Sequence, residues 1–200
     1  MNERIYMDYA STTFLRDEVI DTMKPYLTEC FGNPSGIHEF SRVAKNAIEH
    51  SRENIARVLR CQRKEVFFTS GGTESNNWAI KGVAFANRKK GNHIITTKIE
   101  HHSVLYTCKY LEQNGFKVTY LDVDSDGIVN VNDINNAITD KTILVSIAFV
   151  NNEIGTIQDI EAISELCHNK NIIFHTDAIQ AIGKIDISLD KYEFVNLLSI

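Results

Sequence analysis

Residues 171–180 read Asn-Ile-Ile-Phe-His-Thr-Asp-Ala-Ile-Gln, an apolar run that turns polar at His175, Thr176, Asp177 and Gln180. Ile172, Ile173 and Phe174 predict a buried β-strand. In an open α/β sheet, ligands bind beyond the carboxyl ends of the strands. A carboxylate at that point has two readings. One is a helix N-cap or turn aspartate. The other is a partner for a protonated ring nitrogen such as that of pyridoxal phosphate, because an Asp that keeps the pyridine nitrogen protonated strengthens the ring as an electron sink. Asp177 alone leaves both open.

Three more clusters bear on the choice. Ser70-Gly71-Gly72-Thr73-Glu74-Ser75-Asn76-Asn77 follows a strand candidate and precedes an apolar helix. A glycine-rich turn at a helix start presents free N–H groups and the positive end of the helix dipole to an anion. Thr73 and Ser75 add hydroxyl donors. The turn is neither a Walker loop nor a Gly-x-Gly-x-x-Gly fingerprint. Glu100-His101-His102-Ser103 closes another strand. Adjacent histidines do not share a helical face, which argues against a paired metal site. One imidazole there stacks on a flat ring or shuttles a proton; the alternative is a surface or capping histidine. Asn151-Asn152-Glu153-Ile154-Gly155 places side-chain amides after a further strand. Asp122-Val123-Asp124-Ser125-Asp126-Gly127 opens like a calcium loop, but Asp133 stands where the closing Glu belongs, so it reads as an acidic turn.

The elements that position these groups follow from periodicity. Residues 5–13 read as an extended arm, Arg16–Cys30 and Glu39–Arg60 as helices, and residues 31–36 as a loop. Strands are expected at Val66–Thr69, His93–Thr97, Lys117–Leu121, Ile143–Val150 and Phe194–Ile200, besides the one entering Asp177. Between them fall helices at Trp78–Asn87, Val104–Asn114, Asn130–Thr139 and Ile160–Asn169, the last with Asp159 as a cap. Strands alternating with helices argue an α/β fold with a largely parallel mixed sheet.

The 200 residues are 43% hydrophobic and 24% charged, which suits one soluble domain with a short arm. A net charge of −5 argues against a nucleic-acid partner. No apolar run approaches the roughly 20 residues of a membrane span, and the N-terminus lacks a signal-peptide core, so the cytoplasm is expected. Cys30, Cys61, Cys108 and Cys167 are widely spaced and read as reduced thiols, not as a zinc or disulfide framework. A donor cradle, a stacking group, a carboxylate and amides suit a phosphorylated, planar, nitrogen-containing cofactor.

The motifs then carry a resemblance. Thr-Ser-Gly-Gly-Thr-Glu-Ser-Asn-Asn, Glu-His-His-Ser-Val-Leu, Val-Asn-Asn-Glu-Ile-Gly-Thr-Ile-Gln-Asp-Ile and His-Thr-Asp-Ala-Ile-Gln resemble the cysteine desulfurases, pyridoxal phosphate enzymes of fold type I. So do Met-Asp-Tyr-Ala-Ser-Thr-Thr in the arm and Gly-Asn-Pro-Ser-Gly-Ile-His in the loop. The likeness covers essentially the whole chain in order. It implies that Gly72 and Thr73 bind the cofactor phosphate, and that His101 stacks on the ring and moves protons. It puts Asn152 beside the ring, Asp177 on the pyridine nitrogen and Gln180 on the 3′ oxygen. Asn33 and His38 fall on a loop near the family's active site.

The family's lysine lies in a Ser-x-His-Lys motif just after a strand like Val195–Ile200, and its persulfide-forming cysteine lies much further on. Neither is among these residues, and none of the four cysteines takes the second role. Asn196 stands where Asp is usual and Phe14 where Pro is usual. The resemblance therefore implies the N-terminal half of a desulfurase: an arm over residues 1–15 and the cofactor-binding large domain over 16–200, with most of the small C-terminal domain absent. The parent would be a homodimer that converts L-cysteine to L-alanine and hands sulfur, as a persulfide, to an acceptor such as an iron–sulfur scaffold protein. The 200 residues alone are expected to be inactive. The alternatives are a non-catalytic dimerising or partner-binding module, and a selenocysteine lyase-like enzyme.

Overall fold

Five strands, β1 (His93–Thr97), β2 (Lys117–Leu121), β3 (Thr142–Ser146), β4 (Ile173–Asp177) and β5 (Leu197–Ser199), pair in parallel in the order β2-β1-β3-β4-β5. The computed structural model describes residues 4–200, so residues 1–3 of the expected arm lie outside it. The chain divides into two units, one ending at Phe67 and one spanning Phe68–Ile200.

The sheet unit follows from its sequence. β1 and β3 are buried at every position and β4 at all but its first residue. That is the pattern of a parallel sheet covered on both faces, and their β-branched runs supply it. Helices α3 (Gly72–Asn87) and α4 (His102–Gln113) pack over β1 and β3. Ile80, Ala84, Ile94, Val104, Cys108, Leu111, Phe116, Ile143 and Leu144 form one apolar cluster between them. α5 (Val131–Ala137) and α6 (Ile160–Asn169) complete the alternation, and the Asp159 carboxylate caps α6 by accepting from the Ala162 N–H at 3.1 Å. Asn196, at the family's usual Asp, accepts from the Phe174 N–H at 2.8 Å while its own N–H donates to the Phe174 carbonyl at 3.2 Å. An amide oxygen serves that bracket as well as a carboxylate oxygen.

In the first unit, α1 (Asp17–Thr28) buries no residue and α2 (Glu39–Leu59) buries Ser41, Ala44, Ala56 and Leu59. His38 caps α2, its Nδ1 accepting from the Ser41 N–H at 3.3 Å. The Asn33 side chain accepts from the Ser35 N–H at 2.9 Å.

Two expectations need correction. Val66–Thr69 is not one of the strands: Val66 has extended dihedrals (φ −96°, ψ 123°), but among the described residues the stretch joins no ladder, and Phe67 and Phe68 stay exposed. Extended propensity makes a strand only when a neighbouring strand supplies the ladder. The polar residues His175 and Thr176 do not mark a strand end either. β4 continues through them to Asp177, with both fully buried.

Candidate functional site

The strand order reverses between β1 and β3, the connection from β1 leaving to one side and the return from β2 crossing to the other. In such sheets the ligand crevice forms beyond the carboxyl ends at that reversal. The polar groups beyond β1, β3 and β4 sit at those ends.

Glu100 joins the two central strands. Its buried carboxylate accepts from the Thr97 hydroxyl at 2.7 Å and from the Ala148 N–H at 3.0 and 3.1 Å. Burial pushes this carboxyl up to about 7, against the pull of those donors. Asn151 braces the same edge, its amide donating to the Ile99 carbonyl at 2.7 Å and its Oδ1 accepting from the Glu153 and Ile154 N–H groups. Asn152 beside it is half-buried.

Gly71 turns the chain into α3 with φ 153°, a conformation open to glycine. A Cβ on Gly72 would fall 1.9 Å from Ile179 Cδ1. Glycine thus lets the start of α3 approach the turn that carries Asp177. The first-turn N–H groups of α3, with the exposed Thr73 among them, have no acceptor within the helix and could cradle an anion.

Asp177 ends β4, 7% exposed. Its Oδ1 accepts from the Ile179 N–H at 3.1 Å and its Oδ2 from Asn76 Nδ2 at 2.7 Å. Burial pushes its carboxyl up, opposed by Asn76, by the Ile179 N–H and by the charge of His101. The turn-aspartate role and the ring-partner role are thus compatible: one oxygen closes the turn and the second faces a polar network. The same holds for His101. It caps α4, Nδ1 accepting from the Ser103 N–H at 3.1 Å and lying 2.8 Å from the Ser103 hydroxyl, while the ring stays exposed. Ser103 Oγ in turn accepts from Asn76 Nδ2 at 2.8 Å. Hydrogen bonds therefore join His101 to Asp177 through Ser103 and Asn76. Among the described residues that chain does not include Thr73 or Asn152. Gln180 lies on the turn after β4 and accepts from Lys184.

Glu100, Ser103 and Asn76 escaped the sequence reading. Asn76 lies in the glycine-turn motif one helical turn after Gly72, a spacing that puts both on one face of α3. That was the one available signal for it. The Asp122–Gly127 turn is held from within and from neighbouring segments: Asp124 Oδ1 accepts from the Asp126 and Ile128 N–H groups, Asp122 pairs with Lys98, and Thr156 and Gln158 donate to the Asp126 and Gly127 carbonyls. Of the free cysteines, Cys108 and Cys167 are buried, and burial pushes both thiols up to about 12. Burial and the Glu65 charge also raise Cys61.

The open parallel α/β sheet carries, at its carboxyl edge, a glycine-opened helix start and a buried, donor-held carboxylate. The aminotransferase class-V family model matches residues 5–196, and the chain belongs to that family. It is 58% identical over 199 residues to the cysteine desulfurase IscS of Clostridium botulinum (strain Hall), covering 100% of this chain and 50% of that protein. Against the cysteine desulfurase IscS of Methanosarcina thermophila it is 55% identical, covering 100% of the chain and 49% of the relative. A solved NifS-like protein superposes with a TM-score of 0.94 at 43% identity, over 98% of this chain and 55% of that one. SspA in complex with cysteine superposes at 0.93 and 43% identity, over 97% and 56%. The fold is thus that of the fold type I large domain. The chain spans about half the length of the curated relatives it matches.

Proposed function

We propose that these residues form the cofactor-binding half of a pyridoxal phosphate-dependent cysteine desulfurase. Asp177 carries the reading: a carboxylate ionised at the end of a buried strand needs a cationic partner, and burial has already made its charge costly. Bound there, pyridoxal phosphate would supply an electron sink for negative charge at the substrate's α-carbon.

The chain's own residues have distinct tasks in this reading. The α3 start at Gly72 and Thr73 holds the phosphate by backbone N–H groups and the Thr73 hydroxyl. Asp177 holds the ring nitrogen in its protonated form. His101, whose Nδ1 is occupied by its cap, offers Nε2 and the ring face, and so stacks and moves a proton at that nitrogen. Asn152 and Gln180 reach the ring's oxygen side from the turns after β3 and β4.

The substrate would be L-cysteine, converted to L-alanine, as the names of the relatives support. Its sulfur would pass as a persulfide to a protein acceptor of the iron–sulfur scaffold kind. The persulfide nucleophile is none of the buried thiols, because a thiol held near 12 supplies little thiolate. Among the described residues no helix is long and apolar enough to cross a membrane; we assign the protein to the cytoplasm and to a homodimer.

Titration with pyridoxine 5′-phosphate, which has the ring and the phosphate but no aldehyde, tests the site. Saturable binding, weakened by Asp177→Asn and absent for pyridoxine without phosphate, is expected. Failure of the phosphorylated compound to compete better than pyridoxine would remove the cradle from the reading.

A further inference from the structure

We propose that Asn76 is a positioning residue of this site: its buried amide holds the Asp177 carboxylate in one orientation and ties it to the histidine cap of α4. The inference rests on the cofactor reading above for its purpose, but on geometry for its existence.

Asn76 is 0% exposed and lies on α3, one turn into the helix whose start forms the anion cradle. Both amide hydrogens are used, one toward Asp177 Oδ2 at 2.7 Å and one toward Ser103 Oγ at 2.8 Å. The partners come from two other elements, the end of β4 and the first turn of α4. One side chain thus joins three elements at the carboxyl edge of the sheet. The opposite amide orientation would turn Oδ1 onto the carboxylate, acceptor against acceptor. The observed orientation leaves Oδ1 buried without a hydrogen-bond partner among the described residues. An orphaned acceptor is a disfavoured arrangement, and the chain adopts it so that both donors meet Ser103 and Asp177.

The consequence is directional. Asp177 Oδ1 is fastened by the Ile179 N–H in its own turn, and Oδ2 by a side chain 101 positions away. With both oxygens held, the carboxylate plane cannot rotate about its bond to Cβ, and its remaining lone pairs point in fixed directions. The charged groups acting on it are Glu100 from the end of β1 and His101 from the start of α4. His175 shares its strand but is held neutral between the Ser146 and Ser199 hydroxyls, pushed down to about 4 by burial. Asn76 is the strongest of the groups that favour the ionised carboxylate. It therefore keeps Asp177 ready for a cationic ring, as a neutral donor that does not itself compensate the charge.

The test follows the Asp177 carboxylate carbon by NMR across pH in the 200-residue chain without cofactor. In Asn76→Ala the Asp177 midpoint should rise by about one pH unit or more, the size of one charge-assisted hydrogen bond. An unchanged midpoint in a variant with a native amide spectrum would overturn the proposal. Should that variant fail to fold, the unaltered chain decides: both Asn76 side-chain amide protons should shift through the Asp177 midpoint, and amide protons that ignore it would equally overturn the proposal. A second arm adds pyridoxine 5′-phosphate, which on the cofactor reading lowers the Asp177 midpoint. If the cofactor-free arm holds and this shift is missing, the cofactor reading falls while the positioning role stands.

Discussion

Replacing Glu100 with glutamine should uncover a pH dependence of stability that the unaltered chain largely conceals. Burial pushes the Glu100 carboxyl up from 4.5 to about 7. Across that window the folded chain holds a proton that the unfolded chain has released. Its contribution favours folding below pH 4.5 and is lost as the pH rises through 7. His175 does the reverse, because burial pushes its imidazole down from 6.5 to about 4. Its contribution is present above pH 6.5 and is lost as the pH falls through 4. At roughly 1.36 kcal/mol for each pH unit, either displacement amounts to about 3 kcal/mol. Between pH 4.5 and 6.5 the two slopes oppose each other and nearly cancel. Asp177, also raised by burial, adds to the Glu100 side. Urea unfolding followed by circular dichroism at half-unit steps from pH 4 to 8 would measure this. The difference in unfolding free energy between Glu100→Gln and the unaltered chain should move in the variant's favour by about 3 kcal/mol from pH 4.5 to 7.5. Taking the difference cancels the titrating groups that do not interact with Glu100, while Asp177, which does, shifts with it. A difference that stays constant with pH would refute the claim that Glu100 is buried and desolvated at the edge of the sheet.

Three further outcomes follow from the same geometry. Asp177→Asn in a full-length active enzyme should lower turnover roughly a hundredfold or more at equal cofactor loading, since a lost charge partner costs a few kcal/mol and each 1.4 kcal/mol is tenfold; near-normal turnover would leave Asp177 as a turn residue worth about 1 kcal/mol. Gly72→Val should destabilise the chain by about 1–3 kcal/mol in urea unfolding, because even its Cβ would fall 1.9 Å from Ile179 Cδ1; a neutral result would mean that Ile179 turns away freely. The 200 residues alone should form no alanine from L-cysteine and retain no borohydride-fixed cofactor at stoichiometric yield on any lysine, as mass spectrometry would read; turnover in a highly purified sample would overturn this.

The elements most legible in the sequence are those whose local pattern has no competitor. β1, β2 and α6 fall at the bounds that periodicity and Gly/Asn punctuation assign. Their β-branched or 3.6-period residues face one core, so propensity and packing agree. Val66–Thr69 fails because its apolar residues specify extended backbone without specifying a partner. α3 begins six residues before the expected Trp78, because Gly72-Thr73 reads as a turn by propensity while the N–H geometry makes it the first helical turn. The candidate site divides the same way. Asp177 and His101 are legible because one ends a strand and the other opens the helix that follows a strand. Asn76 is not, since the partners that define it lie 27 and 101 positions away and no local pattern encodes them.

Those long-range partners decide what Asp177 can do. Burial by itself disfavours its charged form. A salt bridge to an arginine would keep it charged but would satisfy it, and a cationic ring would gain little by replacing that partner. The chain uses neutral donors instead: the Asn76 amide and the Ile179 N–H. They favour the carboxylate without neutralising it, and burial still leaves its carboxyl above the ordinary value. On the proposed reading, the remaining cost falls away when a protonated pyridine arrives, so ring protonation and carboxylate ionisation strengthen each other by linkage. The reciprocity requires that ring protonation lower the Asp177 midpoint by the same free energy by which Asp177 ionisation raises the ring's own midpoint. Structural bracing alone would give no such equality.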